Sequence, residues 1–388
     1  MKMRLRGGLT RWLLPRLLYG RHHDTRSGVV TLSVVREACA AVEALLARDP
    51  TAALNECELQ ALLQVELLRL LPYRLEASLS SEVIARGHHP ALTIPRVFRE
   101  LKPDGGRGGK EVDLAVLQDR PQMVRGKLNG APSKFEPPYA VIIETKIDAS
   151  AVATLAGRNT RARPNVLTSD VGKWRPYIDH GQVETVVSVI MTGQPEAYAG
   201  LPDVITIRRS PPAQNCAFQG RDFDPWPQID AALNEVAEEY RRHPVGCLRE
   251  KDFESRLFGK LRDADFPRVP FWLPDGSCVG IDPVRAQWSG EWSLSLGRGR
   301  RHDLVVLSPT GRSLLAELEL KTSHSDSHNW FRKREVEGEL QAMQHLIEEG
   351  RLQRGRFVMF RYGEALWEVD AKSLFSRFPD VEFEYVCA

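Results

Sequence analysis

The sequence predicts an α/β protein in which one plan of helices and strands occurs twice. The chain has 388 residues, which is enough for two domains of ordinary size. Its 42% hydrophobic and 27% charged residues are typical of a globular protein. An amphipathic helix, two acid-bearing strands, a helix and a strand follow one another in each half. We therefore predict domains at residues 31–207 and 245–388, joined by a linker with a short helix at 208–244.

The first 30 residues are a basic segment outside these domains. "MKMRLRGGLTRWLLPRLLYGRHHDTRSG" contains seven Lys or Arg residues and a single acid, Asp24. Pro15 and Arg16 interrupt its apolar stretch, which is too short to cross a bilayer. We interpret residues 1–30 as a basic arm that contacts phosphates. A disordered tail and a targeting peptide are the alternatives.

Overall charge and cysteine usage narrow the class of protein. The net charge of +2 is close to neutral, so a nucleic-acid surface has to come from local clusters of basic residues. The six cysteines show no CxxC spacing, which argues against a zinc site and a disulfide framework. These features predict a cytoplasmic protein with reduced thiols and no membrane partner.

Each half begins with a predicted helix that carries an acid on its apolar side. "NECELQALLQVELLRLLP" and "REKDFESRLFGKLRDA" both place apolar residues at helical spacing. At about 100° per residue, Glu56 lies roughly 20° from Leu63, in the middle of the apolar stripe, and Glu250 has the same position in the second helix. Glu58 and Asp252 are predicted to face water. The two stripe acids either belong to a site or favour the helix start through the helix dipole.

Two strands with acids follow each of these helices. Asp113 is embedded in "KEVDLAVL" and Asp303 in "RRHDLVVL". The next apolar strands carry a Glu-x-Lys triplet, with Glu144 and Lys146 in "YAVIIETKI" and Glu319 and Lys321 in "SLLAELELKT". Because side chains alternate across a strand, the Glu and Lys of each triplet share a face. Burying such groups is costly unless they are paired or bind a ligand, and an ion pair at a strand end is the plain alternative.

A basic loop precedes each aspartate-bearing strand, and a helix and a strand follow each triplet. The loop residues predicted to contact a phosphate backbone are Arg107, Lys110, Arg298, Arg300 and Arg301. Helices are predicted in "TSDVGKWRPYIDHG" and "NWFRKREVEGELQAMQHLIEEG", and strands in "VETVVSVIMTG" and "RFVMFRYG". The order of elements is therefore the same in both halves.

Two features near the second triplet have alternative interpretations. Glu317 shares a strand face with Glu319, one step deeper in the sheet, and is either a further ligand or a partner for an Arg or Lys side chain. His324 and His328 lie in "SHSDSHNW", just after the triplet. A polar loop that caps the next helix is favoured there over a second metal site.

Acids from one helix and two neighbouring strands suit the binding of a hard divalent cation. Carboxylate oxygens are preferred ligands of Mg²⁺ and Mn²⁺, which keep waters and take phosphate oxygens as further ligands. A metal-bound water is a better nucleophile, and an adjacent lysine can orient it and stabilise developing negative charge. This combination is suited to the hydrolysis of a phosphodiester.

The order Glu, Asp, Glu-x-Lys, helix, strand resembles the PD-(D/E)XK nucleases, the restriction-endonuclease-like superfamily. "ECEL", "EVDLAV" and "IIETK" in the first half are most similar to the archaeal Holliday-junction resolvase branch. The resemblance spans residues 50–195 and 248–362. It implies two tandem αβββαβ domains, each a mixed central sheet flanked by helices. Val112 and His302 stand where the family has a proline before the aspartate.

The resemblance also implies roles for individual residues. The implied metal ligands are Asp113, Glu144, Asp303 and Glu319, the catalytic lysines are Lys146 and Lys321, and the accompanying helix acids are Glu56 and Glu250. The cofactor it implies is Mg²⁺ or Mn²⁺.

On this basis the sequence predicts a metal-dependent nuclease, with endonuclease favoured over exonuclease and DNA favoured as the substrate. Antiviral defence, restriction and repair are the roles this activity suggests. The alternative is a nucleic-acid-binding protein in which one nuclease-like domain has lost catalysis and serves recognition. A third interpretation is that these acids and lysines form only structural ion pairs. It would require the same arrangement to have arisen by chance in both halves. A homodimer is compatible with the sequence, and no protein partner is indicated by it.

Overall fold

The computed structural model has a mixed α/β architecture, with sheets of mixed parallel and antiparallel strands flanked by helices. The residues that the structure describes are 32–71, 75–79, 91–100, 111–119, 122–125, 132–136, 139–148, 172–210, 221–243, 250–272, 278–289, 301–323, 333–361 and 373–387. We refer to residues 32–210 as the first half and to residues 221–387 as the second half.

The described residues of the first half contain three α-helices, a short 3-10 helix (Pro195–Tyr198) and nine strands. The helices are α1 (Leu32–Arg48), α2 (Glu56–Leu70) and α3 (Arg175–Asp179). The strands are β1 (Leu75–Leu79), β2 (Ala91–Ile94), β3 (Val97–Arg99), β4 (Leu114–Leu117), β5 (Gln122–Arg125), β6 (Pro132–Glu136), β7 (Tyr139–Ile147), β8 (Val183–Thr192) and β9 (Val204–Arg208).

The second half contains three described helices and seven strands. The helices are α4 (Trp226–Arg242), α5 (Glu250–Arg262) and α6 (Lys333–Glu348). The strands are β10 (Val269–Trp272), β11 (Cys278–Ile281), β12 (Val284–Ser289), β13 (Arg301–Leu307), β14 (Leu314–Ser323), β15 (Leu352–Arg361) and β16 (Val381–Cys387).

Each half contains a five-stranded mixed sheet, and the two sheets share one strand order. The order is β3-β4-β7-β8-β9 in the first half and β12-β13-β14-β15-β16 in the second. In both sheets the first strand pairs antiparallel with the second, and the second with the third. The fourth strand pairs parallel with the third, and the fifth pairs parallel with the fourth. A helix lies between the third and fourth strands of each sheet in the chain. The repeated order of elements that the sequence predicts is therefore present in the fold.

The third strand of each sheet has consecutive buried residues, so both of its faces are covered. In β7, Val141 and Ile143 point into the core that contains α1 and α2, whereas Ile142 packs in a second cluster with Trp174. Strands covered on both faces carry continuous apolar runs rather than alternating ones. This explains why the charged triplets stand out in "YAVIIETKI" and "SLLAELELKT".

Helices α2 and α5 pack against each other and join the two halves. Helix α2 starts after Asn55, whose Oδ1 accepts a hydrogen bond from the N–H of Glu58 at 2.9 Å. The prediction that Glu58 and Asp252 face water is wrong, since they are 0% and 1% exposed. The helical wheel assumed one buried face, but α2 contacts α1, α5 and strands of both five-stranded sheets.

Glu58 and Asp252 make matching contacts across the junction between the halves. Oε1 of Glu58 accepts the N–H of Ala286 in β12 at 3.2 Å, and Oδ1 of Asp252 accepts the N–H of Arg99 in β3 at 3.1 Å. Arg99 and Ala286 occupy the same position in their sheets, opposite the residue that follows the aspartate. Each helix thus supplies an acceptor for the first strand of the other half's sheet.

The remaining elements extend this plan. Strands β10 and β11 pair antiparallel, and β2-β1-β5-β6 form a four-stranded sheet. Helix α4, in the segment predicted as a linker, packs against α5. The guanidinium groups of Arg354 and Arg356 lie 4.1 Å and 4.8 Å from the ring centroid of Trp226, at the start of α4.

Of the helices in the described part of the chain, none is both long and apolar enough to span a membrane.

Candidate active site

The two aspartates predicted as catalytic make the same backbone contact in both halves. Oδ2 of Asp113 accepts the N–H of Thr145 at 2.6 Å, and Oδ2 of Asp303 accepts the N–H of Leu320 at 3.0 Å. Thr145 and Leu320 are the middle residues of the two Glu-x-Lys triplets. Each aspartate is therefore held against the triplet strand, beside the triplet's glutamate.

A residue in the left-handed backbone region lies next to each aspartate. Glu100 follows β3 with φ of 51°, and its N–H donates to the backbone oxygen of Asp113 at 3.1 Å. Gln287 has φ of 49° and interrupts the pairing of β12 with β13 opposite Asp303. This conformation costs a non-glycine residue roughly 1–2 kcal/mol, and such strain concentrates at functional sites.

In the second half the structure brings the predicted Glu250, Glu319 and Lys321 together. Nζ of Lys321 lies 2.9 Å from Oε1 of Glu319 and 3.7 Å from Oε2 of Glu250. A further carboxylate comes from α6, where Oε1 of Glu339 lies 3.2 Å from the same nitrogen. Asp303 is close enough that its charge acts on both Glu319 and Lys321.

The electrostatics of this cluster follow from burial and from an excess of acids. Burial raises the pKa of Glu250 to about 7, with Asp303 and Glu339 adding to the rise and Lys321 opposing it. Burial and the Asp303 charge also raise the pKa of Glu319. Burial alone would lower the pKa of Lys321, but the surrounding carboxylates outweigh it and raise that pKa.

In the first half the glutamate of the triplet is saturated by nitrogen donors. Trp174 Nε1 donates to Oε1 of Glu144 at 2.7 Å, and Nζ of Lys173 donates to Oε2 at 2.9 Å. Burial raises the pKa of Glu144 to about 7, and the Asp113 charge adds to this while Lys173 and Trp174 oppose it. Nζ of Lys146 donates to the backbone oxygen of Thr145 at 2.9 Å.

The two sites therefore differ in charge balance. In the second half, the carboxylates that act on Lys321 are Glu250, Asp303, Glu319 and Glu339. In the first half, the Asp113 charge disfavours the ionised form of Glu144, and the Lys173 ammonium favours it. Within the described residues the second site carries the larger excess of carboxyl groups over basic groups, which favours a bound cation.

The donors of the second site fit Mg²⁺ or Mn²⁺. Asp303 and Glu319 offer carboxylate oxygens, which these hard cations prefer. No three His, Cys, Asp or Glu side chains in the described ranges form a ready-made metal site. Mg²⁺ commonly uses only one or two carboxylates and keeps its waters, so Asp303 and Glu319 would be sufficient protein ligands.

Glu317 has a partner behind the second site. Its Oε1 lies 2.8 Å from Nδ1 of His302, and both side chains are fully buried. By strand register the corresponding residues of the first half are Val112 and Ile142, which share one apolar cluster. An apolar contact in one half is thus replaced by a buried polar pair in the other. The contact found for Glu317 is therefore with a histidine, not with an arginine or a lysine.

The remaining predicted site residues are half-buried, exposed or outside the described residues. Glu56 is the first residue of α2 and is half-buried, as Glu250 is in α5. Arg301 is exposed at the start of β13. The other predicted residues of this region, which lie outside the described residues, are Arg107, Lys110, Arg298, Arg300, His324 and His328.

Sequence reasoning missed several residues that contact the predicted ones. Lys173, Trp174 and Glu339 lie in the segments predicted as helices after the triplets, so their positions in the chain pointed toward the sites. Gln287, whose Nε2 donates to Oδ1 of Asp303 at 2.8 Å, had no such signal. Its contact depends on a backbone conformation that no local residue pattern indicates.

The sequence was compared with protein-family models and with curated proteins. The sequence matches no model of a known protein family and no curated protein.

Proposed function

We propose that this chain is a divalent-metal-dependent phosphodiesterase that cleaves nucleic acid, with its principal catalytic site at Asp303, Glu319 and Lys321. The observation that carries the proposal is the cluster of carboxylates around Lys321. Apart from Glu339, its residues are those that the resemblance to the PD-(D/E)XK nucleases selects. A cluster with more acids than bases is stabilised by a cation or by protons.

The residues of the site would have separate tasks. A divalent cation would supply an activated water and offset the charge of the phosphodiester, with Asp303 and Glu319 as its protein ligands. Lys321 is a donor only, so it would donate to a phosphate oxygen or to the attacking water. Glu250 and Glu339 would keep Lys321 protonated and hold its ammonium group in place.

Binding of the polymer would depend on basic groups beside the site. Arg301 is exposed at the start of the strand that carries Asp303. Phosphate contacts by such residues supply affinity without reading sequence. DNA is favoured over RNA by the family resemblance alone, and defence, restriction and repair are the settings in which such an activity would serve.

A cleavage assay with a panel of substrates tests this function. Purified protein is incubated with supercoiled plasmid, linear duplex, single-stranded DNA and RNA, with Mg²⁺, with Mn²⁺ or with excess EDTA. We expect cleavage of at least one substrate with either metal and none with EDTA. Cleavage that continues undiminished in excess chelator would contradict the metal-dependent mechanism.

For the first half, a recognition role is a second candidate. Both oxygens of Glu144 accept hydrogen bonds from nitrogen donors, one of them the ammonium of Lys173. A cation would compete there for two occupied oxygens, whereas among the described residues Glu319 accepts such a bond at Oε1, from Lys321. The first-half site is therefore the weaker candidate for catalysis, and its fold would serve to bind the substrate.

A further inference from the structure

A continuous set of buried hydrogen bonds connects Asp113 of one site with Asp303 of the other. We call it the Arg99 network, and its members are Gln60, Arg99, Thr145, Glu254 and Gln287. Four of them are 5% exposed or less, and Gln287 is half-buried. Buried polar groups that are linked in this way hold one another in fixed positions.

The first-half part of the network runs from Asp113 to Arg99. Oγ1 of Thr145 donates to Oδ2 of Asp113 at 3.0 Å. Nε2 of Gln60 donates to that hydroxyl at 3.1 Å. The amide oxygen of Gln60 accepts a hydrogen bond from Nη2 of Arg99 at 2.9 Å.

The second-half part runs from Arg99 to Asp303. Nη1 of Arg99 donates to Oε1 of Glu254 at 3.2 Å. Oε2 of Glu254 accepts a hydrogen bond from Nε2 of Gln287 at 2.8 Å. The same amide group of Gln287 lies 2.8 Å from Oδ1 of Asp303 and donates to it. Lys251 supports this end, with Nζ 2.6 Å from Oε2 of Glu254 and 3.8 Å from Oδ1 of Asp303.

Arg99 is the central residue because its charge is fully buried and its acidic partner is in the other half. Its side chain belongs to β3 of the first half, whereas Glu254 belongs to α5 of the second. A buried guanidinium needs a carboxylate partner, and its planar fork fixes the direction of each hydrogen bond. Gln287 reaches both Glu254 and Asp303 from a backbone in the left-handed region. The network therefore restrains the backbone as well as the side chains.

We propose that the Arg99 network positions the aspartates of both sites, so that each site is supported, through the Arg99–Glu254 pair, by the other half. Its members are positioning residues: Thr145 and Gln287 contact the aspartates, and the other three members act through these two. The effect on catalysis rests on the proposed function, but the positioning of Asp113 and Asp303 does not.

Amide hydrogen exchange in the metal-free protein tests the positioning directly. The N–H groups of Thr145 and Leu320 donate to Asp113 and Asp303, so their exchange rates report whether each aspartate stays in place. Arg99→Lys keeps the charge but loses the fork. We expect it to increase exchange at both amides by roughly three- to tenfold relative to other amides of the two sheets.

A matched control breaks another ion pair that crosses the junction, one whose two side chains are fully buried. Glu58→Gln disrupts the pair with Arg285 and leaves every member of the Arg99 network unchanged. It should alter exchange at Thr145 and Leu320 no more than at other sheet amides. If Arg99→Lys does not fold, Gln60→Leu and Gln287→Leu remove one link each at similar side-chain volume, with the larger effect expected at the nearer aspartate.

The outcomes separate this inference from the proposed function. Selective acceleration at both amides supports the network, whereas an unchanged Leu320 amide or an effect no larger than that of Glu58→Gln overturns it. In a cleavage assay, Gln287→Leu should lower kcat roughly ten- to hundredfold with KM unchanged, since the residue positions a ligand and does not bind substrate. A raised KM at unchanged kcat would contradict positioning. Absence of cleavage by the wild type would contradict the proposed function and leave the exchange result standing.

Discussion

Glu58 and Arg285 show how strongly single residues hold the two halves together. Oε1 and Oε2 of Glu58 accept hydrogen bonds from Nε and Nη2 of Arg285 at 2.9 Å and 3.0 Å, and both side chains are fully buried. Such a bidentate pair fixes geometry, and removal of one partner leaves a buried charge without compensation.

Glu58→Gln should therefore lower the free energy of unfolding by about 3 kcal/mol or more, because Arg285 keeps its charge in a buried position. Chemical denaturation measures this. Glu238→Gln is the control, since Glu238 pairs with Arg242 on the exposed side of α4, and it should change stability by about 0.5 kcal/mol or less. Similar losses in the two variants would contradict the assigned role of the Glu58–Arg285 pair.

The rate at which the Cys57 thiol is alkylated should depend strongly on pH. Burial raises the pKa of its thiol to about 11, and the charge of Glu254 adds to this rise while Arg99 opposes it. Alkylation requires the thiolate, so its rate should climb roughly tenfold per pH unit from pH 8 to pH 10. The exposed Cys387 should react much faster at pH 8. Mass spectrometry after timed iodoacetamide treatment measures both rates, and equal rates at pH 8 would show that Cys57 is not shielded.

At the scale of elements, the turn between β13 and β14 depends on Gly311. Its φ is 66°, and a Cβ at this position would overlap the backbone oxygen of Pro270 in β10. The turn thereby packs directly against the β10–β11 strand pair.

Gly311→Ala should destabilise the protein by more than about 2 kcal/mol, because it adds a steric clash to an unfavourable backbone conformation. Gly350→Ala is a close control, since Gly350 has φ of 68° but open space around its Cα. It should cost about 1 kcal/mol from the backbone alone. Thermal unfolding compares the two, and an equal loss would show that contact with Pro270 does not matter.

The sequence predicted the order of the elements better than their contacts. The apolar runs of β7 and β14 and the helical spacing in α2 and α5 are local patterns, so they indicate element type without tertiary information. The burial of Glu58 and Asp252 was missed because it arises where two helices from different halves meet. A wheel drawn for an isolated helix carries no information about a second partner.

At the candidate site, too, local sequence patterns did not predict contacts between different elements. Glu319 and Lys321 were found together because two residues along a strand are neighbours whatever the tertiary fold. Glu339 and Gln287 come from other elements, and only the packing of α6 and the left-handed backbone of Gln287 bring them to the site. Their roles therefore required the structure.

At the scale of the whole molecule, the duplicated plan supports a division of tasks. Both halves hold an aspartate against a Glu-x-Lys strand in the same way. They differ in what surrounds the glutamate, which is a lysine and a tryptophan in the first half and a carboxylate-rich cluster in the second. This asymmetry favours catalysis in the second half and recognition in the first.

Plasmid cleavage by site variants tests this account most directly. Glu144→Ala and Glu319→Ala are compared with the wild type and with Glu348→Ala, an exposed acid on α6, by scoring open-circular and linear products from supercoiled plasmid in Mg²⁺. We expect Glu319→Ala to lose all cleavage, and Glu144→Ala and Glu348→Ala to retain it. Nicking by both single-site variants would show that the two halves each cut one strand. Wild-type cleavage by Glu319→Ala would contradict the central claim that the second half carries the catalytic site.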